Sequence, residues 1–439
     1  MGKTYRPYRP DEDFLLPPSP RDWLPEDHLA YFVSDVIDQL DLSAITARYE
    51  KEERGQPPYH PVMLTKVLVY AYCVGVPSSR RIQKRLVEDV AFRVLAAGNE
   101  PDFRTISDFR KIHLKALEQL FEQVLQMALE AGVMKLGRVA LDGSKVKANA
   151  SKHKAMSYGR MKEKQKQLRE EVRKLLQEAE QVDAEEDARY GKDQRGDELP
   201  EELRRRETRL KRIREAKRVL EQRAREKAEA DGKPAEEAAR AKPDHKAQYN
   251  FTDPESRIMK GADGFVQAYN VQAAVEEEFQ LIVGQAVTQA ANDKQQVAPM
   301  VEAIERQSGQ RPEELLADSG YCSEENLEYL ESPEEPEKRI EAYIATERKK
   351  HSKAPEPARR GPLPKGGTRV DRMKRKLQTK SGAAVYAARK GIVEPIFGQV
   401  KQGRGFRQFL LRGLEKVQGE WALICLTHNI LKLHRICYG

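Results

Sequence analysis

Between residues 27 and 132 the apolar positions recur at helical spacing. Leu29, Phe32, Val33 and Val36 form one stripe, and HPVMLTKVLVYAYCVGV, from His60, forms a second that is apolar nearly all round. In GVPSSRRIQKRLVEDVAFRVL, Ser78 or Ser79 can cap a helix that opens with Arg80 and Arg81. DFRTISDFRKIHLKALEQLFEQVLQMALEAG follows, with Thr105 and Asp108 at capping-box spacing ahead of one long amphipathic helix. The pattern predicts an extended, Pro-rich segment over 1–26 and an all-α N-terminal domain over 27–134.

The period then shortens to two. RVALDGSKVKAN predicts a strand that ends at Asp142, and GFVQAYNVQAAV and QLIVGQAVTQA predict a hairpin around the acidic turn EEEF. DKQQVAPMVEAIERQSG reads as a helix and ELLADSGY as a short strand closed by Asp318. A helix capped by Ser323 comes next, and RIEAYIAT is a further strand. GEWALICLTHNILKLHRIC closes the chain as an apolar helix. Strands interleaved with helices over 135–439 predict an α/β (α+β) domain with a mixed sheet.

Charge changes this picture in two places. Residues 151–250 carry 28 basic and 23 acidic side chains, too many for a compact core. The segment 152–246 therefore reads as an insert of two long, salt-bridged helices around a break at 191–200. Leu168, Val172, Leu175 and Leu176 keep the spacing of a helical hairpin or a dimerising coiled coil. The second place is 348–416, where 20 basic residues face 4 acidic ones, an excess of +16 in a chain whose net charge is +8. The basic stretch within 346–380, with its Pro and Gly, predicts a loop, and the excess points to an acidic polymer as partner. Arg80, Arg81, Lys84, Arg85, Arg104, Arg110 and Lys111 could form a helix-turn-helix DNA reader or a solvated face of a bundle.

The four cysteines never form a C-x-x-C pair, which argues against a zinc ribbon or a disulfide framework and for a reducing cytoplasm. No apolar run is long enough to span a bilayer. GPLPKGGT has Gly367 where a phosphate-binding loop needs Lys, and no two histidines stand in an H-x-x-x-H pair.

Three carboxylates stand out by position: Asp142 and Asp318 at strand ends, and Glu394 at what reads as the start of a helix, before Pro395. Taken singly, each has a structural reading as turn, cap or dipole partner. Asp293 and Asp253 are reserve acids. Three hard oxygen donors together suit Mg²⁺ or Mn²⁺.

Taken in order, ALDGSKVKANAS, TDPESRIM, YNVQAAV, LLADSGYCSEENL and VEPIFGQVKQGRGFRQFLLRGLEKVQGEWALICLTHNILKL resemble the blocks of DDE-type bacterial insertion-sequence transposases, from about His60 onward. The resemblance implies a ribonuclease H-like mixed sheet flanked by helices, with Asp142, Asp318 and Glu394 holding two divalent ions, Mg²⁺ or Mn²⁺. It also implies double-stranded DNA as partner, both terminal inverted repeats and target, and a homodimer in the bacterial cytoplasm, associated with the nucleoid. A signature of related transposases sets Tyr, two residues, Arg, three residues, Glu, six residues, then Lys. Tyr386 and Arg389 keep the first interval and Glu394 and Lys401 the last, while four residues separate Arg389 from Glu394. The resemblance makes Lys401 catalytic and turned to the phosphate beside the metals. It adds Arg389, Arg404 and Arg407 as DNA contacts beside Arg80, Arg81, Lys84 and Arg85. The implied chemistry is hydrolysis at element ends followed by attack of the freed 3′-OH on target DNA. A two-metal DNA nuclease without strand transfer, and an inactive DNA-binding or scaffolding protein, are the competing readings.

Overall fold

The computed structural model describes residues 19–50, 57–190, 201–261, 264–332, 334–347 and 366–439. The first eighteen residues, the expected break at 191–200 and most of the expected basic loop (348–365) lie outside them.

The N-terminal helices are α1 (Leu29–Gln39), α2 (Ser43–Thr46), α3 (Pro61–Cys73), α4 (Ser79–Glu88), α5 (Val90–Leu95), α6 (Phe103–Ile112) and α7 (Leu114–Glu130). The single long helix expected after residue 102 is two helices broken at His113. Its cap is Asp102, whose Oδ1 accepts from the Thr105 amide at 2.7 Å. Asp at N-cap satisfies an orphan amide directly, so the Thr105–Asp108 box is not used. Ser78 stands at the N-cap of α4 without a side-chain cap bond, and Ser79 is buried.

The strands are β1 (Arg138–Lys147), β2 (Ala155–Ser157), β3 (Gln248–Asn250), β4 (Arg257–Gly261), β5 (Gly264–Glu276), β6 (Ile282–Thr288), β7 (Glu314–Ala317) and β8 (Glu341–Ile344). Across the main sheet the order is β6-β5-β1-β7-β8, with β4 sharing the β6 edge of β5. β5 is antiparallel to β1 and β6, whereas β1, β7 and β8 run parallel. This is the ribonuclease H-like arrangement: three antiparallel strands, of which β5 and β6 form a local hairpin while the insert lies between β1 and β5, then two parallel strands that need helical crossovers. Those helices are α11 (Val297–Ser308) after β6 and α12 (Glu324–Glu331) after β7. Ser323 caps α12, accepting from the Asn326 amide at 3.1 Å, as its position predicts. At the expected hairpin, the buried Glu276 carboxylate accepts from the amides of Glu278, Phe279 and Leu281 and holds the turn.

The Asp-Gly pair in β1 is not a turn. β5 pairs with β1 residue for residue from Val139 to Lys147, straight through Asp142 and Gly143. Asp142 therefore lies within a ten-residue strand rather than at its end. Nine successive ladder positions outweigh a local turn preference.

α8 (Tyr158–Tyr190) and α9 (Glu201–Ala230) form the insert, with α10 (Ala235–Ala239) after them. The Tyr158 hydroxyl donates to Glu221 at 2.7 Å and Arg206 pairs with Glu171 at 3.1 Å, so the two helices run antiparallel. Tyr158, Met161, Leu168, Leu210, Ile213, Ala216 and Leu220 make a small core of their own, with the β2–β3 ladder at its base.

α13 (Arg369–Gln378), α14 (Lys380–Gly398) and α15 (Leu414–Tyr438) complete the chain. α15 is buried along most of its length, including Trp421, Leu423, Cys425, Leu426 and Ile430, and packs on α3, α7 and β6. One apolar core consequently runs from the N-terminal helices through α15 into the sheet. All four cysteines are free. Among the described residues no helix is long and apolar enough to cross a membrane.

Candidate active site

β1 and β7 pair in parallel with Leu141 opposite Ala317, so the next residues, Asp142 and Asp318, are lateral neighbours on the same side of the sheet. Val139, Ala140, Leu141, Leu315, Leu316 and Ala317 are fully buried and anchor both strands, while the two acids stand at the margin of the core. Asp318 is a cap as well: its Oδ1 accepts from the Gly320 amide at 2.8 Å and opens a single 3₁₀ turn, Ser319–Tyr321. Asp318 thus caps the short turn while Ser323 caps the helix that follows.

Glu394 does not open a helix. It sits near the C-terminal end of α14, with Pro395 inside the helix. A proline there cannot donate to the carbonyl four residues back. That carbonyl, on Gly391, accepts instead from the Gln280 side chain at 2.8 Å, so the interior proline leaves no orphaned acceptor. A π-helical turn, Gln399–Gly403, follows directly.

Arg389 joins the acids. Its Nη1 lies 3.5 Å from Asp142 Oδ2 and its Nη2 3.7 Å from Glu394 Oε1. Five positions along α14 separate Arg389 from Glu394, one more than the usual i,i+4 neighbour, yet the long guanidinium reaches both acids. The side chain is buried, and Nε and Nη1 have no hydrogen-bond partner, the approach to Asp142 being too long to count as one. Burial opposes the charge of Arg389, and Asp142, Tyr386 and Asp318 outweigh it and hold its pKa above the usual value. Burial pushes the Asp142 carboxyl up to about 6; Arg389 and the Gly143 amide oppose the rise, and Asp318 and Asp293 add to it.

The other expected residues separate into three groups. Lys401 lies within the π turn that continues directly from the helix carrying Glu394, so the regular α-helical spacing expected between the two is not kept. Its Nζ donates to the Ser144 hydroxyl and, at 2.9 Å, to the Lys145 carbonyl, both on β1 just past Asp142. Burial and Lys145 lower its pKa. Arg404, expected as a DNA contact, is buried against α15, donating to Thr427 Oγ1 at 2.7 Å and to the Ile424 carbonyl at 3.2 Å. Arg110 is likewise buried, on the Tyr72 hydroxyl and the Pro77 carbonyl. Arg407, Arg80, Arg81, Lys84 and Arg85 are exposed; Arg80 stacks on Phe103 at 4.1 Å, and Arg85 pairs with Asp89 at 3.0 Å. Of the reserve acids, Asp253 is fully buried, its carboxylate accepting from the Tyr269 hydroxyl, which makes it structural.

The sequence reading did not single out the polar residues beneath the acids. Asn270 and Gln272 are fully buried on β5, and Tyr321 is buried in the Asp318 turn. Two amides at i and i+2 in the run 268–275, otherwise made of Ala, Val and Tyr, were the available signal, since polar side chains are buried where a network satisfies them.

Two family models match the chain: Transposase domain (DUF772) over residues 18–112 and Transposase DDE domain over residues 241–430. The chain belongs to the insertion-sequence DDE transposases. Neither the curated proteins nor the solved structures contain a match. The second match spans Asp293, Asp318, Arg389, Glu394 and Lys401, while Asp142 lies ahead of it, brought alongside by the β1–β7 ladder.

DDE transposases generally use divalent metals. The donor chemistry of Asp142, Asp318 and Glu394, carboxylate oxygens only, fits a hard cation. Among the described residues no three His, Cys, Asp or Glu side chains are set to hold an ion. Arg389 places a positive charge between Asp142 and Glu394.

Proposed function

We propose that this transposase cuts DNA at the ends of its element and joins the freed 3′-OH to target DNA, with Asp142, Asp318 and Glu394 as its acidic triad. The observation that supports this most is the meeting of three distant segments: Asp142 and Asp318 side by side on parallel strands, and Arg389 linking Asp142 to Glu394.

In this reading the three carboxylates would hold Mg²⁺ or Mn²⁺, which when bound supplies Lewis-acid activation of the attacking oxygen and stabilises the leaving one. Arg389, with two unbonded buried nitrogens, is suited to phosphate oxygens; a buried donor without a partner is costly and gains most from an anionic acceptor. Lys401 acts from the β1 side, fixing Ser144 and the Lys145 carbonyl next to Asp142 and adding positive charge there. Arg407 lies exposed beside it, and the exposed cations of α4 form a second DNA-facing surface on the N-terminal helices. Two element ends must be held together for joining, which calls for a pair of chains.

The test is cleavage and strand transfer on DNA carrying the element ends, in Mg²⁺. Asp318→Asn and Glu394→Gln each abolish both steps while DNA binding persists. Activity surviving either change overturns the assignment of the triad. Cleavage without joining by the wild type would instead make the protein a nuclease.

A further inference from the structure

The reading above gives no role to Asp293, a charged side chain only 20% exposed. We propose that Asp293, in the loop between β6 and α11, is a positioning residue that locks the turn bearing Asp318 to the strand bearing Asp142. This rests on reading Asp142 and Asp318 as acids of the reacting site.

Three donors from two strands converge on one oxygen. Asp293 Oδ1 accepts from Asn270 Nδ2 at 2.6 Å and from Gln272 Nε2 at 2.8 Å, both on β5, and from Lys145 Nζ at 3.5 Å, on β1. Gln272 lies opposite Gly143 in the ladder, next to Asp142. With its amide nitrogen held by Asp293, the Gln272 carbonyl oxygen is aimed the other way, where it accepts from the Tyr321 hydroxyl. Tyr321 is the last residue of the 3₁₀ turn that Asp318 caps. The chain of contacts is therefore Lys145 and Asn270 to Asp293, then Gln272, then Tyr321, and so to Asp318.

The glycines of the two acid-bearing segments are shaped around this link. A Cβ at Gly143 would lie 2.5 Å from Gln272 Nε2, 2.7 Å from Asp293 Oδ1 and 3.1 Å from the Tyr321 hydroxyl. A Cβ at Gly320 would lie 2.9 Å from Asp318 Oδ1 and 3.7 Å from Asp293 Oδ2. Both positions are closed to a larger side chain by groups of the network itself. A buried amide such as Gln272 can point either way, and a carboxylate at its nitrogen end selects one orientation. Asp293 thus determines whether Tyr321 meets an acceptor or a donor.

The experiment measures nicking of a supercoiled plasmid in Mn²⁺ by the full chain, with hydrogen exchange at residues 318–321 as a readout independent of activity. Asp293→Ala should slow nicking by about 10–100-fold, the range found when groups supporting metal-ligand side chains are removed. It should also speed exchange of the Gly320 amide while the β7 amides stay protected. Asp293→Asn keeps an oxygen for Asn270 and Gln272 and should restore most of the rate. Tyr321→Phe should slow nicking less, and the double variant Asp293→Ala, Tyr321→Phe should be no worse than Asp293→Ala alone, because both cut one chain of contacts.

Unchanged nicking or unchanged Gly320 exchange in Asp293→Ala overturns the proposal. So do effects that multiply in the double variant, or an Asp293→Asn as slow as the alanine, since either means that Asp293 acts through its charge and not through Gln272. A wild-type rate in Asp318→Asn would instead overturn the reading of the site, whatever the Asp293 variants do.

Discussion

Replacing Asp142 by asparagine should make the metal-free protein more stable at neutral pH. Burial raises this carboxyl from 3.8 to about 6, a difference already reduced by the nearby Arg389. With the side chain 22% exposed, little solvent screening applies. A carboxyl that binds its proton more tightly when folded contributes stability fully below its unfolded pKa, and that contribution is lost as pH rises through the folded value. Two units correspond to roughly 3 kcal/mol, so ionised Asp142 costs the fold about that much at pH 7.5, falling to about 1 kcal/mol at pH 4.5. Asparagine has the shape of the protonated acid and carries no charge, so it escapes the cost. Urea unfolding in EDTA at both pH values measures the gap, which should shrink in acid. Added Mg²⁺ should stabilise the wild type and leave Asp142→Asn nearly unmoved. A variant less stable than wild type at pH 7.5, or a gap independent of pH, refutes the argument that burial of this charge is the dominant strain at the site.

Two further outcomes concern the cations. Arg404→Met fills the space of a buried guanidinium whose pKa burial has pushed down to about 10, and should stay within about 1 kcal/mol of wild type. Arg404→Ala should lose about 2–4 kcal/mol to the cavity, and neither should alter the salt dependence of DNA binding, as calorimetry and filter binding would show. Arg81→Ala should instead leave stability unchanged and lower the slope of log affinity against log salt by about 0.9 if Arg81 contacts one phosphate. An unchanged slope assigns α4 to a solvated face.

Much of the architecture was legible in the chain because its signals are local. Apolar period sorted the helical N-terminal part from the strands, the charge density of 151–250 marked the inserted hairpin, and Ser323 announced the helix it caps. The errors came where a non-local contact outweighed a local preference. Asp142-Gly143 has the composition of a turn, but β5 pairs through it; Pro395 has the composition of a helix start, but Gln280 accepts the task of satisfying Gly391 within a longer helix. Arg404 looks like its neighbour Arg407 in sequence, and only packing against α15 separates the buried cation from the exposed one.

The sequence by itself determined which side chains were available: three carboxylates, the cations of the 348–416 stretch and the order of elements that makes a ribonuclease H-like sheet. Tertiary structure alone decided which of them meet. Parallel pairing of β1 with β7 closes a gap of 176 positions between Asp142 and Asp318, and α14 carries Arg389 to both Asp142 and Glu394. It also joined Asp293, Gln272 and Tyr321 in one chain of hydrogen bonds. Their hydrogen bonds exist only between segments far apart in the chain, and the free energy of such bonds depends on burial that the whole fold supplies.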